Sequence, residues 1–195
     1  MSDFRRVCVY CGSSAGFDAV HRRAAEAMGA TLAARKIGLV YGGGKIGLMG
    51  ALADAVLAGG GEVIGIIPHH LIALEVGHRE LTSLIAVDSM HARKHQMAEL
   101  ADAFIAMPGG IGTAEELLEV LTWLQLGLHS KPIGLLNTDE YYYHLLEFLG
   151  HMTRTGFLKE AHRGMLIVEK TPETLLERLR AFVPRQVDKR ISVVE

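Results

Sequence analysis

Short apolar runs alternate with longer amphipathic stretches along the whole chain. The runs are Val7 to Cys11, Ile37 to Tyr41, Val63 to Ile67, Leu84 to Val87, Phe104 to Met107, Ile133 to Leu136 and Met165 to Val168. They are apolar at successive rather than alternate positions, the mark of strands covered on both faces in a parallel sheet. Between them the pattern predicts helices over about Asp18 to Lys36, Leu48 to Leu57, Met90 to Leu100, Thr113 to Leu126, Tyr142 to Met152 and Pro172 to Phe182. Thr171 is placed to cap the last of these, with Pro172 at its first position. Strand–helix alternation of this kind builds right-handed βαβ units. The predicted fold is therefore α/β: a Rossmann-like, doubly wound parallel sheet in a three-layer α/β/α sandwich. No charge block, low-complexity stretch or internal repeat divides the chain. A single domain over residues 1–195 is expected, with a flexible tail from about 184 to 195.

Composition narrows the possible partners. Of the 195 residues, 49% are hydrophobic and 22% charged, as in an ordinary folded protein, and the formal net charge is −2. That balance lacks the basic excess of a chain that tracks nucleic-acid phosphates. No apolar run is long enough to span a bilayer, and Met1 to Arg6 leads straight into the first run without a signal-peptide core. A cytoplasmic location is expected, with neither nucleic acid nor membrane as partner. The two cysteines, Cys8 and Cys11, are spaced C-x-x-C but lie along a strand, so their side chains should point to opposite faces. Buried, reduced thiols are expected rather than a zinc or redox pair.

In a doubly wound sheet the ligand sits beyond the carboxyl ends of the strands. Three of the runs end there in small-residue turns: Gly12-Ser13-Ser14, Gly42-Gly43-Gly44 and Gly109-Gly110. Gly42 to Gly47 fits G-x-G-x-x-G, but a nicotinamide site also needs an acid at the tip of the next strand. Glu62 precedes that strand and so falls at the wrong end of the sheet. Pro108-Gly109-Gly110-Ile111-Gly112-Thr113-Ala114-Glu115-Glu116 is more specific. Its glycines allow a turn that gathers backbone N–H groups, and a helix follows, so a phosphate would be favoured there. The Walker lysine is missing, which excludes a P-loop NTPase. The Thr113 hydroxyl is expected to cap the helix. Glu115 and Glu116 are expected in its first turn, where they would complement the dipole or, for Glu116, close a capping box with Thr113. A carboxylate beside a phosphate cradle also suits a positively charged sugar intermediate. Arg93 and Lys94 begin another helix at the same sheet edge, either on a solvated face or reaching phosphate or sugar oxygens. His91 and His95 share one helix face, but no third ligand is placed by spacing, so no metal is assigned.

Taken together, these blocks resemble the LOG (lonely guy) family of phosphoribohydrolases, often labelled lysine decarboxylase-like. The family's P-G-G-x-G-T-x-x-E is met from Pro108 to Glu116. Supporting blocks are Cys11 to Ser14, Gly42 to Gly44 with Gly47 to Gly50, Met90 to Lys94, and Leu121 through Pro132. The resemblance implies hydrolysis of the N-glycosidic bond of purine nucleoside 5′-monophosphates, cytokinin-type N6-modified nucleotides or AMP. The products would be free base and ribose 5-phosphate, and no cofactor is implied. By motif, Arg93 and Glu116 would be the catalytic pair. Gly109, Gly110, Gly112 and Thr113 would bind phosphate. Glu75, Lys94, Glu115 and Thr122 would complete the nucleotide site, with Gly12, Ser13, Gly43, Gly44 and Met90 also assigned to the substrate. Ile111 stands where the family often has an aromatic and Ala92 where glutamate is common.

The residue types suit that chemistry, because cleavage of C1′–N9 builds positive charge on the ribose and a carboxylate both stabilises it and orients water. Glu116 is the candidate. A guanidinium does not readily give up a proton, so Arg93 is read as electrostatic and positioning. Two rivals are a pyridoxal-phosphate decarboxylase using Lys45 or Lys94, and a non-catalytic nucleotide sensor. The stretch from Glu116 to Leu126 is apolar almost all round, with Leu117, Leu118, Val120, Leu121, Trp123, Leu124 and Leu126. Its excess over a single stripe predicts a homodimer.

Overall fold

Residues 4–72 and 77–184 are described in the computed structural model of the chain. Glu75 and nearly all of the expected tail lie outside them. The described residues contain seven strands: β1 (Arg6–Tyr10), β2 (Gly38–Tyr41), β3 (Val63–Pro68), β4 (Ser83–Val87), β5 (Ala103–Ala106), β6 (Ile133–Leu136) and β7 (Leu166–Glu169). All neighbours pair in parallel, in the order β4-β3-β2-β1-β5-β6-β7. The helices are α1 (Ala19–Ala34), α2 (Gly47–Ala58), α3 (Met90–Leu100), α4 (Ile111–Leu126), α5 (Tyr143–Arg154), α6 (Glu160–Arg163) and α7 (Pro172–Arg180).

Strand pleating sorts the core into two. Val7, Val9 and Cys11 join one apolar cluster with residues of α1, α2 and α7. Cys8 and Tyr10 join the other, with residues of α3, α4 and α5. This is the three-layer α/β/α sandwich expected from the apolar pattern, and the two thiols sit on opposite faces of the sheet. Burial pushes both thiols well above the ordinary cysteine range, which keeps them protonated and inert.

Strand order reverses between β1 and β5, and both strands deliver their following loops to the same crevice. The loops are stitched together there: Gly12 N–H donates to the Pro108 carbonyl at 3.0 Å, and Met107 N–H to the Tyr10 carbonyl at 2.9 Å. At the other end of the sheet Glu62 accepts from Arg6 Nε at 2.8 Å and from Nη2 at 3.0 Å. Its carboxylate is thus spent on the amino-terminal edge, as its place before the strand implied.

Three local features depart from the sequence-based expectation. The helix expected from Thr113 begins at Ile111, with Gly110 as the capping residue and no side-chain cap. Thr113 therefore lies inside the helix, and Glu115 and Glu116 fall in its second turn, so neither the threonine cap nor the capping box forms. The cause is glycine: Gly110 turns the chain one residue after Gly109, earlier than a side-chain cap would. A 3-10 turn (Thr138–Glu140) precedes α5, and α6 is too short to carry any periodicity. The expected cap of α7 by Thr171 does form, and Asp18 and Ser89 cap α1 and α3.

α1 and α2 pack closely through Gly29, where a β-carbon would stand 2.6 Å from the Leu52 carbonyl oxygen. Gly29→Ala should gain about 1 kcal/mol of helix propensity and lose more to backbone displacement. A net loss of about 1–3 kcal/mol is expected in urea unfolding with an unchanged m-value. Equal or greater stability of the variant would contradict this account of the contact.

Candidate active site

A cavity of about 330 Å³ opens at the point where strand order reverses. Nine of the sequence-predicted site residues line it: Gly12, Ser13, Met90, Arg93, Gly110, Gly112, Thr113, Glu115 and Glu116. One side is the start of α4. Without a side-chain cap, its N–H groups of Ile111, Gly112 and Thr113 precede the first intrahelical donor, Ala114, whose N–H reaches the Gly110 carbonyl at 3.2 Å. Such amides, at the positive end of the helix dipole, form an anion site. Gly109 must be glycine: a β-carbon there would lie 2.2 Å from the Thr113 hydroxyl oxygen and 2.8 Å from Gly12 N.

The facing side is built around Arg93. Its side chain is buried and its guanidinium is anchored to the ends of two strands, Nε donating to the Ile66 carbonyl at 3.0 Å and Nη2 to the Gly42 carbonyl at 2.7 Å. Gly42 makes room for it, since a β-carbon there would stand 2.1 Å from Nη2. A solvated face for this helix position is thereby excluded. Glu116, half-buried on α4, completes the polar lining. Met49, Leu71, Met90 and Met97 supply an apolar wall. The cavity thus offers amides for an anion, a fixed positive charge, a carboxylate, and an apolar surface.

Lys94 points elsewhere. Its ammonium is held between the Glu115 and Glu119 carboxylates of α4, with Nζ to Glu119 Oε1 at 3.0 Å. Burial opposes its charge, but the hydrogen bonds it donates to the two carboxylates outweigh that and raise its pKa above the ordinary lysine value. Glu115 spans both sets, lining the cavity while gripping Lys94. Gly43 and Gly44 lie behind the cavity rather than in its lining. Gly43 accepts from His78 N–H at 3.0 Å, and Gly44 bridges to Gly77 and accepts from the Tyr41 hydroxyl at 3.2 Å. Thr122 is exposed on α4, its hydroxyl spent on the Leu118 carbonyl at 2.7 Å, and lies outside the cavity.

Gly42, Met49, Leu71 and Met97 were not singled out for the site from sequence. Gly42 carried a signal in its glycine run and Met49 in the Gly47 to Gly50 block, Met97 lay on a predicted helix, and nothing pointed to Leu71. His95 pairs with Glu99 at 3.2 Å on the surface. Among the described residues no group of three or more His, Cys, Asp or Glu is placed to hold a metal ion.

The family model described as possible lysine decarboxylase matches residues 49–179. A probable cytokinin riboside 5′-monophosphate phosphoribohydrolase of Oryza sativa subsp. japonica is 49% identical over 184 residues, covering 94% of this chain and 75% of that one. The cytokinin riboside 5′-monophosphate phosphoribohydrolase LOG1 of Arabidopsis thaliana is 48% identical over 184 residues, covering 94% and 86%. Among solved structures, the molybdenum cofactor carrier protein of Chlamydomonas reinhardtii aligns with a TM-score of 0.68 over 92% of this chain and 100% of that one. Its 20% identity makes that a likeness of fold alone.

Lys94→Met removes both ion pairs while keeping the apolar stem, and should cost about 1–2 kcal/mol in urea unfolding at pH 7–9. Because the folded pKa is raised, the contribution is fully present below the unfolded lysine value of about 10.4 and fades as pH rises through the folded value. The gap between wild type and variant should therefore hold from pH 7 to 9 and narrow only in strongly alkaline solution. Closure of the gap within pH 7–9 would contradict the pairing.

Proposed function

Because the chain belongs to the cytokinin riboside 5′-monophosphate phosphoribohydrolase family, we propose that it hydrolyses the N-glycosidic bond of N6-modified adenosine 5′-monophosphates and of AMP. The products are free base and ribose 5-phosphate. The observation that carries this reading is the uncapped start of α4 lining the same cavity as Glu116 and Arg93. The phosphate binds the amides of Gly110, Gly112 and Thr113, with Gly109 keeping the loop clear of side-chain bulk. The ribose then faces Glu116, which stabilises the oxocarbenium-like transition state and orients or deprotonates the attacking water. Arg93 stays charged throughout and holds the sugar-phosphate against the strand ends, a preorganised electrostatic role. The base and its N6 substituent lie along Leu71 and the flexible thioethers of Met49, Met90 and Met97, which accept varied shapes.

The remaining assignments follow. Gly12 and Ser13 close the rim, and Gly43 and Gly44 shape the loop beneath Arg93. Lys94 orients Glu115 toward the nucleotide. Glu75 is assigned to the site through family resemblance. Pyridoxal phosphate does not fit these residues: neither Lys45 nor Lys94 lines the cavity, and the carboxylates around Lys94 favour its charged form, the opposite of what a Schiff-base lysine needs. We assign no cofactor and no metal. One domain over 1–195 in the cytoplasm fits this reading, and among the described residues no helix is long and apolar enough to cross a membrane.

The active form is a homodimer. On α4 the residues Leu117, Val120, Leu121 and Leu124 are buried, while Ile111, Leu118 and Leu126 are exposed, as is Leu128 beyond it. A two-fold axis across this face covers them and brings Thr122, on the same exposed side, toward the second site.

Glu116→Gln should lower release of base from AMP and N6-isopentenyl-AMP by about 10²–10⁴-fold, with the melting temperature unchanged. Arg93→Ala should also abolish release and cost stability, because it strands two buried carbonyls. Chromatography of released base and thermal melting measure both. Near wild-type turnover by the glutamine variant would remove Glu116 from the mechanism. Leu118→Glu should shift sedimentation at low micromolar concentration from dimer to monomer; a wild-type monomer would overturn the dimer.

A further inference from the structure

We infer that Tyr141 is a positioning residue for the phosphate-binding loop, an inference that rests on the function proposed above. Three successive carbonyls of that loop are each tied down. The Met107 carbonyl accepts from the Tyr142 hydroxyl at 2.6 Å, the Pro108 carbonyl from Gly12 N–H at 3.0 Å, and the Gly109 carbonyl from the Tyr141 hydroxyl. In a planar trans peptide the C=O of one residue and the N–H of the next point in opposite directions. Fixing the Pro108 carbonyl therefore aims the Gly109 amide, and fixing the Gly109 carbonyl aims the Gly110 amide. Gly110 lines the cavity. A glycine-rich loop has little rotational preference of its own, so these external anchors set which way its amides face.

The tyrosines are presented by a strained turn. Asp139 and Glu140 are consecutive non-glycine residues in the left-handed region, at φ 52° and 55°. Side chains disfavour that region, and it persists only where the surroundings enforce it. Here they do: Asn137 Oδ1 accepts from Tyr142 N–H at 2.8 Å, Asn137 N–H donates to the Glu169 carbonyl at 2.8 Å, and Lys170 pairs with Glu140 at 2.9 Å. His21 from α1 packs edge-on against the Tyr141 ring, 5.6 Å between centroids. The turn after β6 is thereby braced by α1 and by the end of β7, and its product is a hydroxyl aimed at a carbonyl of the loop after β5. Tyr142 is buried and serves the core as well; Tyr141 is half-exposed, so its hydroxyl is explained by the carbonyl it holds.

Tyr141→Phe deletes that hydroxyl and keeps the ring against His21. Loss of one neutral hydrogen bond of this kind predicts a three- to tenfold rise in KM for N6-isopentenyl-AMP, with kcat within twofold. The inhibition constant of ribose 5-phosphate should rise by the same factor. Inhibition by the free base, which has no phosphate, should not move, whereas a general structural loss would move both. Unchanged KM and ribose 5-phosphate inhibition in the variant, alongside an active wild type, overturns the positioning role. So does equal weakening of free-base and ribose 5-phosphate inhibition. A wild type that neither turns over the nucleotide nor binds ribose 5-phosphate instead overturns the functional reading on which this one stands.

Discussion

A parallel sheet that reverses its strand order leaves a crevice in which helix amides are not consumed by the fold, and two of the helices that start at that edge, α2 and α4, follow glycine runs. They are not equivalent. At the start of α2, Leu48 and Met49 N–H both donate to the Gly12 carbonyl, at 3.0 and 3.3 Å. At the start of α4, no side chain caps the helix and the β1 loop contributes its N–H to Pro108 instead. The loop after β1 thus satisfies one helix terminus with its carbonyl and braces the turn before the other with its amide. Both glycine runs look able to hold a phosphate, but at the first of them two of the helix amides are already taken by the Gly12 carbonyl. The position of the cavity, the placement of Glu116 one helical turn further along and the need for glycine at 109 all depend on this division.

The same economy governs charge. Arg93 and Lys94 are neighbours on α3, about a third of a helical turn apart, and each is buried in a different direction. Arg93 reaches carbonyl oxygens at strand ends, which orient the guanidinium. Lys94 reaches two carboxylates and is locally neutralised. One residue lines the cavity; the other fastens α3 to α4 and holds Glu115. Exchanging them would fail on geometry as well as charge, because the forked donor set of arginine is what fits two separate carbonyls.

Much of this was legible in the sequence because it rests on local rules. Consecutive apolar positions gave the strands, the opposed cysteines followed from pleating, and Glu62 could be placed at the wrong end of the sheet by its position before a strand. The helix start at Ile111 was not legible, since a threonine three residues after a glycine looks like a cap and only the built loop reveals that Gly110 has taken that place. Burial of Arg93 was only half legible: two adjacent basic residues fit a wet face as well as a site, until Gly42, fifty-one positions earlier in the chain, is seen to vacate the space. Apart from Met90, the apolar wall escaped notice for the opposite reason, as methionines on helices look like core whether they face a core or a cavity. The full breadth of apolar residues on α4 was also narrower in space than in sequence, with Trp123 packed partly against the core and the exposed remainder limited to a few side chains.

Backbone amides differ from a lysine as phosphate ligands in a way that bears on the proposed reaction. A lysine ammonium attracts phosphate from many directions on a flexible stem, so it binds without fixing distance. Amides on a loop whose carbonyls are held by Gly12, Tyr141 and Tyr142 cannot follow a wandering ligand. A phosphate seated on them has its distance from Glu116 set by the backbone, and one ribose separates phosphate from the anomeric carbon. A nucleoside 5′-monophosphate therefore places its glycosidic bond by the fit of its own length. An arrangement of this kind needs a rigid loop more than a strong charge, which accounts for a phosphate cradle with no lysine in its motif.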